Sequence, residues 1–218
     1  ICPTEEKTPK TDADRGEAWD LNEGAMAGIR MLATRIGAPR IPGFTSAMWE
    51  LEASGLLVAP AKKDGTERPI GIGSVMRRLG GSVLLKMSKA DLKAYYEPRG
   101  QMCLGTRNAP EKCAIAHNAK LAQDGTRTVY AADERNGFGC ISQKAVLKGL
   151  EQLPANLQWI RYTFGMYYRG TPKLLFRSGT NSFYVLCLVG FQQGDPLGCI
   201  YFSAGADGSL VKMRGDFP

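Results

Sequence analysis

Eight residues near the C-terminal end constrain the fold more than any other stretch: Phe191-Gln192-Gln193-Gly194-Asp195-Pro196-Leu197-Gly198. Gly194 lets backbone come close to a flat partner. Asp195 is a natural helix N-cap, and Pro196 suits the first helical turn. The segment reads as a strand end turning sharply into a helix, with Gln193 presented at the turn. Helices and hairpins alternate along the rest of the chain, which predicts an α+β fold.

Upstream, residues 1–15 are polar and read as a tail, and residues 17–36 carry apolar side chains near a 3.6 period, a helix. Thr45 is placed to cap a second helix through Leu51. Leu56 to Ala59 and Pro69 to Ile72 form two arms of a hairpin, joined by Asp64-Gly65, a strong turn pair. Residues 75–96 read as helical with a break at Gly80-Gly81, and residues 110–123 as another helix. Thr128 to Ala132 is a short apolar strand ending at Asp133. Ser142 caps a helix through Leu153, residues 157–168 are helical, and residues 174–186 form a hairpin about Gly179. The last helix is expected to end at Ser203, before a Gly-rich tail.

The 218 residues suffice for a real core, and a hydrophobic content of 44% is ordinary for a globular chain. No apolar run is long enough to span a bilayer, and the chain opens on Ile1, which reads as a processed product or fragment. The net charge is +7, and its distribution is uneven. Residues 61–130 hold 13 Lys and Arg against 6 Asp and Glu, whereas residues 1–60 hold 6 against 9. Such a basic middle third suits RNA or DNA as partner; a solvated helix face is the plainer alternative. The six cysteines form no C-x-x-C pair, and His117 is the sole histidine, so a zinc site and triad chemistry are disfavoured. Scattered cysteines fit buried thiols in an intracellular, reducing compartment.

Three blocks carry chemistry. In Lys62-Lys63-Asp64-Gly65-Thr66-Glu67-Arg68-Pro69-Ile70 a tight turn sets cations on both arms of a hairpin tip, a fork able to grip a triphosphate. In Ala131-Ala132-Asp133-Glu134-Arg135-Asn136-Gly137-Phe138 an apolar strand delivers one carboxylate at its end. The third block is the Gln-Gly-Asp-Pro turn. In order and pattern they resemble the fingers "K-x-D-G-x-x-R-P-I", palm motif A "D-x-x-N-A-F" and motif B "Q-G-D-P-L" of reverse transcriptases, especially those of non-LTR retrotransposons. A weaker block, Gln101, Gly105 and Glu111, fits a pattern common before a helix in related polymerases.

The resemblance implies a fingers region over residues 16–125 and a partial palm over residues 126–218, with an incomplete palm sheet. It implies RNA-templated DNA synthesis with dNTPs and Mg²⁺. Lys62 or Lys63, with Arg68, would contact the incoming nucleotide. Asp133 would be the catalytic, metal-binding carboxylate, and Phe138 would exclude a ribose 2′-OH. Gln193 and Gly194 would lie against nucleotide and template. Gly137 and Gly139, smaller than the usual residues, are expected to loosen that pocket.

Two-metal phosphoryl transfer needs carboxylates from two places. The family supplies the second pair from a "Y/F-x-D-D" hairpin, and no Asp-Asp occurs in these 218 residues. The chain is therefore expected to be inactive by itself. Either it belongs to a longer enzyme, or it is a retained retroelement fragment serving as an RNA-binding module or as a scaffold subunit of a larger complex. The expected compartment is the nucleus for a retroelement product, or an organelle for a domesticated one. A half-palm should leave Leu197, Ile200, Tyr201 and Phe202 to be covered by another protein chain or by a folded-back N-terminal segment.

Overall fold

The computed structural model describes residues 45–61, 63, 65, 67–102, 104, 106–129, 133–134, 136–168, 170 and 172–216. The expected tail and first helix, Lys62, Asp64, Gly105 and the end of the apolar strand before Asp133 lie outside the described residues. Thr45 caps helix α1 (Ser46–Ala53), its hydroxyl accepting from the Met48 N–H, as the sequence predicts. Strands β1 (Gly55–Val58) and β2 (Ile70–Gly73) form the expected hairpin. Ala61 bridges Glu67 towards its tip, and Gly65 takes the left-handed conformation (φ 78°) a tight turn demands.

Helices α2 (Val75–Met87) and α3 (Lys89–Tyr96) follow. The break lies at Ser88, not at the predicted Gly80-Gly81. Both glycines are buried, and a Cβ on Gly81 would sit 3.3 Å from the Pro196 ring, so they serve close packing rather than interruption. Helix α4 (Ala109–Gln123) matches its predicted span to one residue. Thr128 and Val129 take part in no strand among the described residues. A single-turn helix, α5 (Gly137–Cys140), leads to α6 (Gln143–Leu150), capped by the Ser142 hydroxyl; α6 stops three residues before the expected Leu153. A 3₁₀ turn over Ala155–Leu157 precedes α7 (Trp159–Tyr168).

The second hairpin, β3 (Lys173–Ser178) and β4 (Asn181–Leu186), joins the first in one mixed sheet of order β2-β1-β3-β4. β1 and β3 pair in parallel through Gly55–Leu174, Leu56–Leu175 and Leu57–Phe176; the other neighbours are antiparallel. The α+β class is as expected. The last helix, α8 (Gly198–Asp216), does not stop at Ser203 but runs through the Gly-rich stretch. Gly205 explains part of this, because it faces Ile141 and Val146 where a side chain would clash. No helix among the described residues is long and apolar enough to cross a membrane.

The core is helical. Val146, Leu150, Leu157, Ile160, Phe164, Tyr168, Leu197, Ile200 and Tyr201 form one buried cluster, and α6 and α8 make the most extensive helix pair. This corrects the expectation of a foreign cover. Leu197, Ile200 and Tyr201 are at most 1% exposed within the chain itself, and Phe202 packs on Phe138. Apolar area removed from water stabilises by roughly 25 cal/mol per Å², and α6 and α7 supply it here without a partner chain.

Candidate active site

The turn foreseen around Gln193 exists, but it leaves the sheet through a longer connection than a strand end. β4 stops at Leu186, and residues 187–197 cross to α8. That crossing is pinned to the block around Asp133. The Gly190 N–H donates to the Ile141 carbonyl (2.9 Å) and the Phe191 N–H to the Phe138 carbonyl (2.9 Å). Gly190 has φ 67°, and a Cβ there would lie 2.3 Å from the Phe138 oxygen, so glycine is required.

Within the turn the two glutamines part company. Gln192 is buried, donating through Nε2 to the Ala53 carbonyl (3.0 Å) and through its backbone N–H to the Tyr168 hydroxyl (3.1 Å). Gln193 is half-buried, and its carbonyl accepts from the Gly71 N–H (2.9 Å). Gly194 (φ 125°) has the Gly71 oxygen where a Cβ would be, at 2.6 Å. The close approach that this glycine permits therefore includes the chain's own strand β2, while its other side stays exposed.

Asp195 lies three residues before α8 rather than at its N-cap, and Pro196 stands outside the first helical turn; Asp195 Oδ1 accepts from the Leu197 N–H (3.0 Å) in the turn that leads into the helix. The sequence reading missed what its other oxygen does. Oδ2 accepts from the Arg77 guanidinium (2.5 Å) and from the Tyr168 hydroxyl (2.9 Å). Arg77 also donates to Tyr168 (2.6 Å) and to the Ala53 carbonyl (3.2 Å), and it lies over the Tyr167 ring at 4.0 Å. The Arg77 and Asp195 side chains are each 2% exposed. Burial by itself weakens the Arg77 charge, but Asp195 and then Tyr168 outweigh it and hold the guanidinium above its ordinary value. Burial, reinforced by Asp195, raises the Tyr168 phenol well above its usual value. Arg77 and Asp195 stand 118 positions apart, so no local pattern announces the pair.

Turn, hairpin and the Asp133 block meet at a cavity of about 160 Å³, lined by Leu57, Pro69, Gly71, Asn136, Gly139, Gln192 and Gln193, with the ends of β3 and β4 behind. Small-molecule pockets usually run to about 300–1,000 Å³, so this one can enclose a single ring system and not a whole nucleoside triphosphate. Larger depressions of about 540 and 500 Å³ lie between α6 and α7 and between α1 and β4, away from the residues singled out by sequence.

Asn136 holds a left-handed backbone (φ 54°), which asparagine tolerates better than most residues. Its side chain fills the space beside Gly139, where a Cβ would come within 2.6 Å of it. Gly137 faces the Phe202 ring at 2.8 Å on the same measure. These glycines do not loosen the pocket as expected; Gly137 lets the Asp133 block close onto α8, and Gly139 makes room for the Asn136 side chain. Phe138 stacks between Phe191 (5.1 Å) and Phe202 (5.5 Å), half-buried in that seam. Cys187, at the cavity wall, has its thiol pushed up by burial, which suits a packed thiol rather than a nucleophile.

Asp133 is exposed, and Glu134 beside it is exposed too. Among the described residues no group of three His, Cys, Asp or Glu side chains is placed to hold a metal. Mg²⁺ takes several hard oxygen ligands, and Asp133 and Glu134 are the carboxylates that this block offers. Lys63 and Arg68 are exposed on the arms of the first hairpin. Gln101 does not face the cavity; its amide donates to Asp207 on α8 (2.7 Å), which Arg99 also approaches (3.9 Å).

No family model matches the chain. It is 24% identical over 148 residues to the retrovirus-related Pol polyprotein from type-1 retrotransposable element R2 of Popillia japonica, a match covering 67% of this chain and 21% of that protein. The chain thus spans about a fifth of the length of this relative. The match and the three blocks support an origin related to reverse transcriptases of retrotransposons.

Proposed function

We propose that these residues form the fingers and first half of the palm of a reverse transcriptase-like domain, and that they bind RNA or an RNA/DNA duplex together with a deoxynucleoside triphosphate. The observation that carries this reading is the turn at Gln193-Gly194. It stands at the rim of the cavity, hydrogen-bonded to β2, with Asn136 and Gly139 lining the same cavity. The Gln193 side chain makes no hydrogen bond among the described residues, whereas the side chains of Gln192 and Asp195 are both hydrogen-bonded. An amide left open beside a cavity of ring-system size is suited to reading a base or a sugar. The exposed Lys63 and Arg68 supply cations for phosphates, Lys as a point charge and Arg as a planar donor set.

On this reading the 218 residues bind but do not synthesise. Asp133 would give a divalent metal one ligand, and among the described residues the further carboxylates required are not gathered around it. The test is anisotropy of a labelled RNA/DNA primer-template with the 218-residue chain, with and without a complementary dNTP, followed by primer extension. Expected are duplex binding, tightening by the matched dNTP that Gln193→Ala removes, and no extension. Absence of duplex binding at low salt sinks the proposal; extension that Asp133→Ala abolishes overturns the inactive part of it.

A further inference from the structure

A buried ion pair is a poor stabiliser on its own, because stripping water from two charges offsets most of their attraction. The Arg77–Asp195 pair also leaves the Arg77 Nε–H without a partner among the described residues, a further cost. What the pair does achieve is geometric. Arg77 stands on α2, directly after the β2 hairpin arm, and its backbone N–H caps on Ser74, whose own hydroxyl donates to Glu52. Its guanidinium reaches α1 at Ala53, α7 at Tyr168 and the turn at Asp195. The Tyr168 hydroxyl then closes the loop, donating to Asp195 and accepting from the Gln192 N–H. The turn is thus gripped at Gln192 and at Asp195, the residues flanking Gln193-Gly194, and the Gln193 side chain between them is left at the cavity.

We propose that Arg77 is a positioning residue: by clamping Asp195 through its guanidinium and Tyr168, it fixes the Gln193-Gly194 apex against Gly71 so that the Gln193 side chain faces the cavity. This rests on the nucleotide reading only for its consequence in binding; the clamp itself is a statement about the turn. A planar, multiply donating group is needed, since one atom set must serve a carboxylate, a hydroxyl and a carbonyl at once. Lysine retains the charge but serves them incompletely.

Three backbone N–H groups report the clamp: Gly71, bonded to the Gln193 carbonyl; Gln192, bonded to Tyr168; and Leu197, bonded to Asp195. Leu92 and Val146, in the helical core, serve as controls. Amide hydrogen exchange on the full 218-residue chain should show the three reporters accelerated at least about tenfold beyond the controls in Arg77→Met. Arg77→Lys, which covers the case where the methionine variant does not fold, should show the same pattern more weakly. Uniform acceleration of reporters and controls, or none in either variant, overturns the proposal. In the second arm, deoxythymidine triphosphate is titrated onto the chain with an oligo(rA)–oligo(dT) duplex and Mg²⁺. Arg77→Lys should weaken its binding about tenfold, with Gln193→Ala adding little in the same chain; full additivity counts against positioning. If the unaltered chain does not bind the nucleotide, the proposed function fails, and the exchange pattern alone decides on the clamp.

Discussion

One oxygen of Asp195 closes the turn that leads into α8 while the other receives a buried guanidinium, and substitutions can separate the two duties. Asparagine keeps the oxygen that accepts from Leu197 but leaves the Arg77 charge uncompensated, which costs about 3–5 kcal/mol when a buried pair loses one partner. Asp195→Asn should therefore lower the urea unfolding free energy by about that much, and Asp195→Ala by about 1 kcal/mol more for the lost hydrogen bond to Leu197. A loss below about 1 kcal/mol for asparagine would mean that water reaches the guanidinium. The phenols of Tyr96, Tyr167, Tyr168 and Tyr201 are almost wholly buried, and burial raises each above its ordinary value. The folded chain then keeps protons that the unfolded chain releases, so this contribution is complete below the ordinary phenol value of about 10 and is lost as pH rises through it. Unfolding free energy should fall from about pH 10 upward, by up to about 1.4 kcal/mol per unit for each such tyrosine. Tyr201→Phe should lessen the slope without loss of stability at neutral pH, because its hydroxyl has no partner among the described residues. At this scale the sequence was informative only over short spans. The turn bond at Asp195 is legible because its acceptor and donor lie two residues apart; Arg77 is not, because it is a basic residue in a basic stretch whose partner is distant in sequence.

Among elements, glycines were the least legible signal. In sequence they read as breaks, and Gly80-Gly81 and the stretch after Ser203 were expected to end helices; both lie inside helices. Their meaning depends on the opposing surface. A Cβ on Gly149 of α6 would sit 1.9 Å from the Ala204 carbonyl oxygen on α8, whereas one on Gly208 of α8 would meet nothing within 4 Å. The two therefore carry opposite expectations for the same substitution. Gly149→Ala should destabilise by about 2–3 kcal/mol by forcing the tightest helix pair apart. Gly208→Ala should stabilise by about 0.5–1 kcal/mol through helix propensity alone. Denaturant midpoints of the two variants check this, and like signs would refute the α6–α8 contact. The hairpins and the caps at Thr45 and Ser142 were legible because turn pairs and capping hydroxyls act within a few residues. The parallel pairing of β1 with β3 was not, since nothing in either strand names its partner.

For the whole molecule, the excess of 13 basic over 6 acidic residues in 61–130 is the strongest long-range signal. It implies binding driven by counterion release, with affinity falling steeply as salt rises. Changing Lys62, Lys63 and Arg68 together to Ala should reduce the slope of log affinity against log salt by roughly 2–3 for an RNA/DNA duplex. An unchanged slope would move the contact to another basic face. The self-covered core also revises what to expect of the chain in solution. Leu197, Ile200 and Tyr201 are enclosed by its own helices, so the first turn of the last helix needs no second chain to cover it, whereas Leu210, Val211 and Met213 further along stay exposed.

The parallel ladder between β1 and β3 has a consequence for how the protein comes into being. A chain made from its N-terminus completes the β1–β2 hairpin early, yet the central strand of that hairpin has no second neighbour until β3 has been synthesised. Long-range parallel pairing pays its loop-closure entropy before its contacts form, and so it comes late. The basic hairpin is thus among the first elements made and among the last to be set in place. In the interval one edge of β1 is open on the nascent chain, the condition in which strands meet wrong partners. Slow refolding, limited by the joining of the two hairpins and faster when the chain is dilute enough to avoid aggregation, is the kinetic mark this sheet order should leave.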